Sequence, residues 1–219
     1  MTRIAVIDYG MGNLRSVAKA IEHVAPGAQV AVTSDAQWVR AAERVVFPGQ
    51  GAMPDCMREM EARGLRDVII EAARSKPFLG ICIGLQMLFE RSEEGDTAGL
   101  ALFRGHVRRF QPSDMFDSAG NKLKVPHMGW NEVYRVREHP MWAGIADGTR
   151  FYFVHSYFPE PADAGVNAAY SRYPVPFCCA AAAGNIFAVQ FHPEKSQAAG
   201  LQLLANFVGW QPRPDHSAT

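Results

Sequence analysis

Short apolar runs alternate with helical periodicity along the first half of the chain. The apolar runs predict strands at 4–8, 30–33, 44–47 and 77–81. Apolar residues at helical spacing predict helices at 14–24 and 65–74, and a further helix is expected after residue 82. The run at 77–81 has no polar alternation, which is typical of a strand buried on both faces of a parallel sheet. The first half therefore predicts a mainly parallel sheet with helices on both sides.

The second half of the chain is richer in strands. Apolar stretches separated by turns predict strands at 107–110, 130–136, 151–157, 166–170, 177–182 and 186–191. Ser196 then caps a final amphipathic helix, whose predicted apolar face is Leu201, Leu204, Ala205 and Val208. The predicted fold class is α/β, with an open, mainly parallel or mixed sheet flanked by helices and a mixed β region in the second half. We expect one domain over 1–210 and a disordered tail at 211–219, which has no apolar periodicity.

Composition and charge narrow the class of protein. The 219 residues are 48% hydrophobic and 20% charged, which is ordinary for a globular enzyme. Twenty-two basic and 22 acidic residues give a formal net charge of zero, so electrostatics favours neither nucleic acid nor an anionic membrane as a partner. The most apolar region, 174–191, is broken by prolines and by Gly184 and Asn185, which predicts a hairpin and not a membrane span.

The cysteines show neither metal-ligand nor disulfide spacing. They are Cys56, Cys82, Cys178 and Cys179. Because the N-terminus also lacks a signal-peptide profile, we expect a cytoplasmic location. No metal and no cofactor is expected, and Cys178 and Cys179, in an apolar strand, are predicted to be packing residues.

One cysteine stands in a sequence that favours a sharp turn. The stretch Gly-Ile-Cys-Ile-Gly at 80–84 has a nucleophile between two glycines, the pattern of a strand-to-helix turn that lifts a side chain out at the edge of a sheet. At the start of a helix, Cys82 would be favoured as a thiolate. Alone, it could equally be a packing residue, so a base and an orienting acid must be found elsewhere.

Two glycine-rich stretches follow predicted strands. The first, Gly10-x-Gly12, lacks the third glycine of a dinucleotide-binding turn, and no acidic residue ends the second strand. The second contains Gly49, Gln50 and Gly51. Its glycines would let backbone N–H groups approach an oxyanion or carboxylate closely, and an ordinary turn is the alternative.

A candidate base and acid follow the strand predicted at 186–191. His192 is the expected general base, and Glu194 the carboxylate that orients its ring. A His close to a Glu is common on protein surfaces and is a weak signal alone. The same chain also has Cys82 in a turn typical of nucleophiles, and this combination favours a catalytic role. In α/β-hydrolases the acid precedes the histidine, so this order argues against that fold.

The sequence at 80–86 together with His192, Pro193 and Glu194 resembles the signature of the class I (triad) glutamine amidotransferases. Three further stretches, at 8–16, 126–131 and 152–157, resemble the glutaminase-subunit family of imidazole glycerol phosphate synthase. The resemblance extends from residue 4 to about residue 208. It implies hydrolysis of L-glutamine to glutamate and ammonia through a thioester on Cys82.

The resemblance also implies roles for individual residues. The oxyanion hole would use the N–H of Ile83 and one from Gly49, Gln50 and Gly51, where members of the family are thought to need a peptide reorientation. The residues matching positions that hold glutamine are Gln86, Glu94 and the backbone of His155, Ser156 and Tyr157. Gln50 departs from the family, since many relatives have valine there, and its side chain could shift the resting balance of this strand.

A second set of residues matches the face that the family shares with its cyclase, which is a (β/α)₈ barrel that receives the ammonia in a heterodimer. They are Asn13, Trp130, Tyr152 and Lys195. Outside the family, the aromatic residues would be ordinary core or interface residues and Lys195 a solvated charge. The cyclase would then form imidazole glycerol phosphate and AICAR in histidine biosynthesis.

Three alternatives remain open from the sequence. The chain could be the amidotransferase subunit of another pathway, such as anthranilate or pyridoxal phosphate synthesis, and the stretch 126–131 discriminates against this. It could be a free-standing cysteine hydrolase, such as a γ-glutamyl peptidase, active without a partner. It could also be a binding module that keeps the fold while its triad is idle.

Overall fold

The structure, a computed structural model, describes residues 1–116 and 120–212. The strands are β1 Arg3–Ile7, β2 Gln29–Thr33, β3 Arg44–Gly49, β4 Phe78–Cys82, β5 Phe89–Ser92, β6 Thr97–Ala98, β7 Phe103–Arg109, β8 His127–Arg135, β9 Thr149–His155, β10 Tyr157–Pro161, β11 Asn167–Arg172, β12 Pro176–Ala183 and β13 Ile186–Val189. The α-helices are α1 Leu14–Val24, α2 Ala36–Ala41, α3 Met53–Ala62, α4 Arg66–Ser75, α5 Ile83–Gln86 and α6 Gln197–Gly209.

Nine strands form the main sheet, in the order β2-β1-β3-β4-β13-β12-β11-β8-β9. Neighbours from β2 to β13 are parallel, and those from β13 to β9 are antiparallel. A smaller sheet has the order β10-β7-β5-β6. This mixed α/β architecture confirms the predicted fold class. Because β4 and β13 are parallel neighbours, their carboxyl ends place residues 82 and 192 at the same sheet edge.

The core lies on both faces of the parallel strands. Every residue of β3, β4 and β13 is buried, and for β4 the unbroken apolar run at 77–81 predicted this. Helix α1 buries Val17, Ala18 and Ile21 and packs beside α6, while α2 packs beside α4. The ammonium of Lys76 donates to the carbonyls of Val39 and Ala42 and so satisfies the carboxyl end of α2.

The structure corrects two predicted helices. The helix after Cys82 is a single turn, so its macrodipole is too short to carry the argument for a thiolate. The buried face of α6 is Gly200, Leu203, Leu204 and Phe207, and of the predicted face only Leu204 is fully buried. The reason is a close approach at Gly200, where an added Cβ would lie 1.9 Å from the carbonyl oxygen of Pro193.

Smaller differences concern segment ends. The strand predicted at 151–157 is divided at Ser156 between β9 and β10. Ser196 stands at the start of α6, but its side chain makes no cap hydrogen bond to the helix. Of the tail predicted to be disordered at 211–219, residues 213–219 lie outside the described residues. None of the described helices is long and apolar enough to cross a membrane.

Candidate active site

The turn at Cys82 requires the glycines on either side of it. Cys82 ends β4 with φ +57° and ψ −113°, a backbone conformation that non-glycine residues rarely adopt. A Cβ at Gly84 would lie 1.9 Å from the carbonyl oxygen of Phe47, and one at Gly80 would lie 2.9 Å from the Cβ of Ala188. The strained turn therefore fits only because both flanking positions lack a side chain.

The imidazole of His192 lies between the thiol of Cys82 and the carboxylate of Glu194. Its Nδ1 lies 2.9 Å from Oε1 of Glu194, and both side chains are buried. Burial lowers the pKa of His192, but the hydrogen bonds to Cys82 and Glu194 outweigh it and raise the pKa to about 10. The raised pKa favours the protonated ring, which is the state that follows transfer of the thiol proton to the base.

Backbone contacts fix the position of His192. Its N–H donates to the carbonyl of Tyr152 on β9, at 2.9 Å. The hydroxyl of Ser196 donates to the carbonyl of His192 at 2.6 Å and accepts from the N–H of Tyr152 at 3.0 Å. Ser196 thus joins β9 to the segment that carries the base and acid, which explains why it does not cap α6.

A cavity of about 360 Å³ opens beside Cys82 and His192. Its lining includes ten of the predicted site residues: Gln50, Gly51, Cys82, Ile83, Gln86, Glu94, His155, Ser156, Tyr157 and His192. Lys195, expected at a partner face, also lines it and is partly buried. A carboxylate at Glu94 and an ammonium at Lys195 suit a ligand that carries both charges, such as a free amino acid.

Two side chains hold the strand that leads to Gly51. The hydroxyl of Tyr9 donates to the carbonyl of Pro48 at 2.9 Å, and the thiol of Cys56 donates to the carbonyl of Gln50 at 3.5 Å. Burial raises the pKa of Cys56 to about 11, so this thiol stays protonated and keeps its donor. The sequence alone predicted no role for either Tyr9 or Cys56.

A buried amide connects the cavity wall to the nucleophile. Nε2 of Gln190 lies 3.7 Å from Sγ of Cys82, and Oε1 of Gln190 accepts from Nε2 of Gln86 at 3.0 Å. Gln86 also donates to the carbonyl of Tyr157 at 3.0 Å. Sequence reasoning missed Gln190, whose only signal was a polar residue at the end of an apolar strand.

Comparison with known proteins agrees with this geometry. A family model described as glutamine amidotransferase class-I matches residues 5–209. The chain belongs to the class I glutamine amidotransferases. Two relatives named imidazole glycerol phosphate synthase subunit HisH are each 66% identical to it. That of Thiobacillus denitrificans matches over 98% of this chain and 94% of its own, and that of Aromatoleum aromaticum over 97% and 100%. The family resemblance is confirmed.

Solved structures share the fold of this amidotransferase at low sequence identity. A putative GMP synthase protein from Thermoplasma acidophilum has a TM-score of 0.70 at 18% identity, over 95% of this chain and 93% of its own. A glutamine amidotransferase from Thermotoga maritima has a TM-score of 0.61 at 15% identity, over 95% and 83%. These likenesses show the fold alone.

The predicted partner residues of the amidotransferase are not among those lining the cavity, apart from Lys195. Trp130 and Tyr152 are paired across β8 and β9, with ring centroids 6.0 Å apart. Trp130 is 39% exposed and its strand neighbour Met128 is 62% exposed, so an apolar surface stands beside the site. Asn13 precedes α1 without a side-chain cap hydrogen bond. Roles at a partner face stay predictions for these residues.

A larger cavity of about 1020 Å³ lies at the amino end of β13, near Trp142, Gly184 and Trp210. None of the predicted site residues is among the described residues that line it. Of these two cavities, the smaller one is therefore the candidate active site, because its described lining brings the candidate nucleophile, the candidate base and charged groups together.

Proposed function

We propose that this amidotransferase is the glutaminase subunit of imidazole glycerol phosphate synthase. It hydrolyses L-glutamine to glutamate and ammonia, and the ammonia passes to a cyclase subunit of the (β/α)₈ barrel type, which forms imidazole glycerol phosphate and AICAR. The observation that supports it most is the buried arrangement of Cys82, His192 and Glu194 at one end of a cavity with groups for an amino acid. The names of its 66%-identical relatives support the pathway.

The geometry suits a two-step hydrolysis. His192 takes the thiol proton of Cys82, and the sulfur attacks the side-chain amide carbon of glutamine. The C–N bond then breaks, and ammonia leaves with the proton that His192 returns. Water gives a proton to His192 and attacks the thioester, which releases glutamate and restores the thiol. Glu194 keeps the ring oriented and stabilises its positive charge throughout.

The oxyanion that forms in each step needs N–H donors close to Cys82. Ile83 follows the nucleophile directly, and β3 brings Gly49 beside it in the sheet. We propose that the N–H of Ile83 and one N–H from residues 49–51 supply the oxyanion hole. A single domain over 1–210 and a cytoplasmic location are parts of the same proposal.

Replacing the nucleophile tests the proposed function. In the synthase assembled with its cyclase, Cys82→Ser should abolish glutamine-dependent synthesis and leave ammonium-dependent synthesis intact. Cys178→Ala is the matched control, because Cys178 is a buried packing residue whose pKa burial raises to about 12. It should keep both activities. Loss of both activities in Cys82→Ser would contradict the confined role of this residue.

The partner dependence separates the alternatives. Glutamate release should be weak for the chain alone and rise strongly when the cyclase and its nucleotide are added. Rapid turnover without a partner would identify an independent hydrolase, and stimulation only by the synthase subunit of another pathway would reassign the pathway. Iodoacetamide labelling of Cys82 no faster than of Cys56 would favour an idle triad.

A further inference from the structure

Behind the wall of the glutamine cavity, three polar side chains form a line of hydrogen bonds, in which the two histidines are buried and the asparagine is half-buried. We call Asn131, His127 and His155 the imidazole network. Nδ2 of Asn131 lies 3.3 Å from Nε2 of His127, and Nδ1 of His127 lies 3.0 Å from Nε2 of His155. Nδ1 of His155 lies 2.8 Å from the carbonyl oxygen of Tyr157. Of the three, only His155 is among the described residues that line the cavity.

The carbonyl of Tyr157 determines which ring nitrogen carries the proton in both histidines of this network. A carbonyl can only accept, so Nδ1 of His155 must carry its proton. In a neutral ring Nε2 then accepts, which requires a proton on Nδ1 of His127. By the same reasoning Nε2 of His127 accepts from the amide of Asn131. Each group therefore donates to the next one, from the amide of Asn131 through the two rings to the carbonyl of Tyr157.

The surroundings keep both rings neutral and in place. Burial lowers the pKa of His127 to about 4 and that of His155, which the neighbouring ring also lowers, to about 3. His127 stacks on the ring of Tyr173 with centroids 4.0 Å apart. The amide of Asn131 is oriented by its own contacts, since Nδ2 donates to the carbonyl of Arg172 and Oδ1 accepts from the N–H of Glu132, each at 2.8 Å.

The network ends on the carbonyl that orients Gln86. One N–H of Gln86 donates to Tyr157 and the other is directed at Gln190, each at 3.0 Å. With both donors occupied, the amide cannot turn over without losing them. Its Oε1 is buried and has no partner among the described residues. Gln86 lines the cavity, and an N–H of the bound substrate would supply the partner that this buried acceptor lacks.

We propose that Asn131 and His127 are positioning residues for glutamine binding. They hold His155 against the carbonyl of Tyr157, and that carbonyl keeps Oε1 of Gln86 turned toward the substrate. This inference rests on the proposed function, because it assigns the residues a task in binding L-glutamine. It also explains a part of the stretch 126–131 that a partner face leaves unexplained, since His127 and Asn131 are directed inward while Met128 and Trp130 are exposed.

A matched pair of variants at His127 tests the proposal. Asparagine places an amide N–H near the position of Nδ1, whereas leucine has the same shape and no donor. In the synthase assembled with its cyclase, His127→Leu should raise KM for L-glutamine on the order of 10-fold, because it leaves a buried acceptor on His155 unpaired. His127→Asn should stay within roughly threefold of the unaltered enzyme, since the donor is kept. The ammonium-dependent rate should be unchanged in both.

Equal KM values for the two His127 variants would overturn the proposal, as would a loss confined to kcat. A second measurement needs no variant and no activity. Nitrogen-15 NMR of the histidine-labelled chain at pH 7 should show His127 and His155 as neutral rings with the proton on Nδ1. A proton on Nε2 of either ring would overturn the network. Absence of glutaminase activity in the unaltered synthase would instead defeat the proposed function, whatever the NMR shows.

Discussion

Gly49 lies directly beside Cys82 in the main sheet. The two residues are the last pair of a register that joins β3 and β4 from Val45 and Phe78 onward. An added Cβ at Gly49 would lie 2.7 Å from the Cβ of Ile83 and 2.8 Å from the backbone nitrogen of Gly84. The close approach of β3 to the turn after Cys82 therefore positions the candidate oxyanion donors of Gly49 and Ile83 relative to each other.

Substitution of Gly49 should damage the glutaminase reaction selectively. Because the elbow backbone cannot give way, Gly49→Ala should displace the strand and lower glutamine-dependent turnover on the order of 10²-fold or more. Ammonium-dependent synthesis should be unchanged. Gly27→Ala is the control, since no atom lies within 4 Å of an added Cβ there. A normal glutaminase rate in Gly49→Ala would show that this contact does not set the donors.

The carboxylate of Glu194 should set the alkaline limit of activity. Its hydrogen bond and charge are among the causes that raise the pKa of His192, so Glu194→Gln should lower that pKa. The ring of His192 would then lose its proton at a lower pH. The alkaline limb of the profile of kcat/KM against pH should therefore shift to lower pH. Glu138→Gln, at a side chain that is 90% exposed, should leave the profile unchanged. An unmoved alkaline limb in Glu194→Gln would contradict the orienting role.

The sharp turn at Cys82 and the candidate triad could be found in the sequence because their signals are local. Gly80 and Gly84 flank Cys82 in the sequence, and His192 follows an apolar strand. Gln190 could not be found in this way, because its partners Gln86 and Cys82 lie 104 and 108 residues away. Their contact exists only through the pairing of β4 with β13, which a single sequence does not specify.

Neither the imidazole network nor the buried face of α6 could be predicted from the sequence, and the reason is the same for both. His127 meets His155 because the register of β8 and β9 pairs these two residues, and that register depends on the intervening fold. The buried face of α6 is set by the approach of Gly200 to Pro193 and not by periodicity within the helix. Local patterns therefore predicted the nine strands of the main sheet and the helices α1, α4 and α6, but they missed α2, α3, β5 and β6. Contacts between distant strands decided which polar side chains meet.

Tyr9 should contribute to stability through its hydroxyl. Tyr9 is fully buried, and its donor serves the carbonyl of Pro48 just before Gly49. Tyr9→Phe should lower the free energy of unfolding by about 1–3 kcal/mol, because the carbonyl loses a buried partner. Tyr173→Phe removes a hydrogen bond of the same 2.9 Å length between exposed groups, where water can replace it. Urea denaturation of the two variants should therefore give a smaller loss for Tyr173→Phe, and equal losses would contradict the role of burial.

Three neutral histidines, of which His127 and His155 are buried and His139 is half-buried, should make the fold sensitive to acid. The pKa values of His127 and His139 are lowered to about 4 and that of His155 to about 3, in each case chiefly by burial. The unfolded chain binds these protons near pH 6.5 and the folded chain does not, so the free energy of unfolding should fall as the pH decreases from about 6.5 toward 4. His127→Asn removes one of these groups and should make the fall shallower by up to about 1.4 kcal/mol per pH unit. Urea denaturation at pH 7, 6 and 5 measures this, with exposed His23→Asn as the control that should follow the unaltered chain. If His127→Asn also ran parallel to the unaltered chain, His127 would take up its proton at the same pH in the folded and the unfolded chain, which would contradict the lowered pKa of this ring.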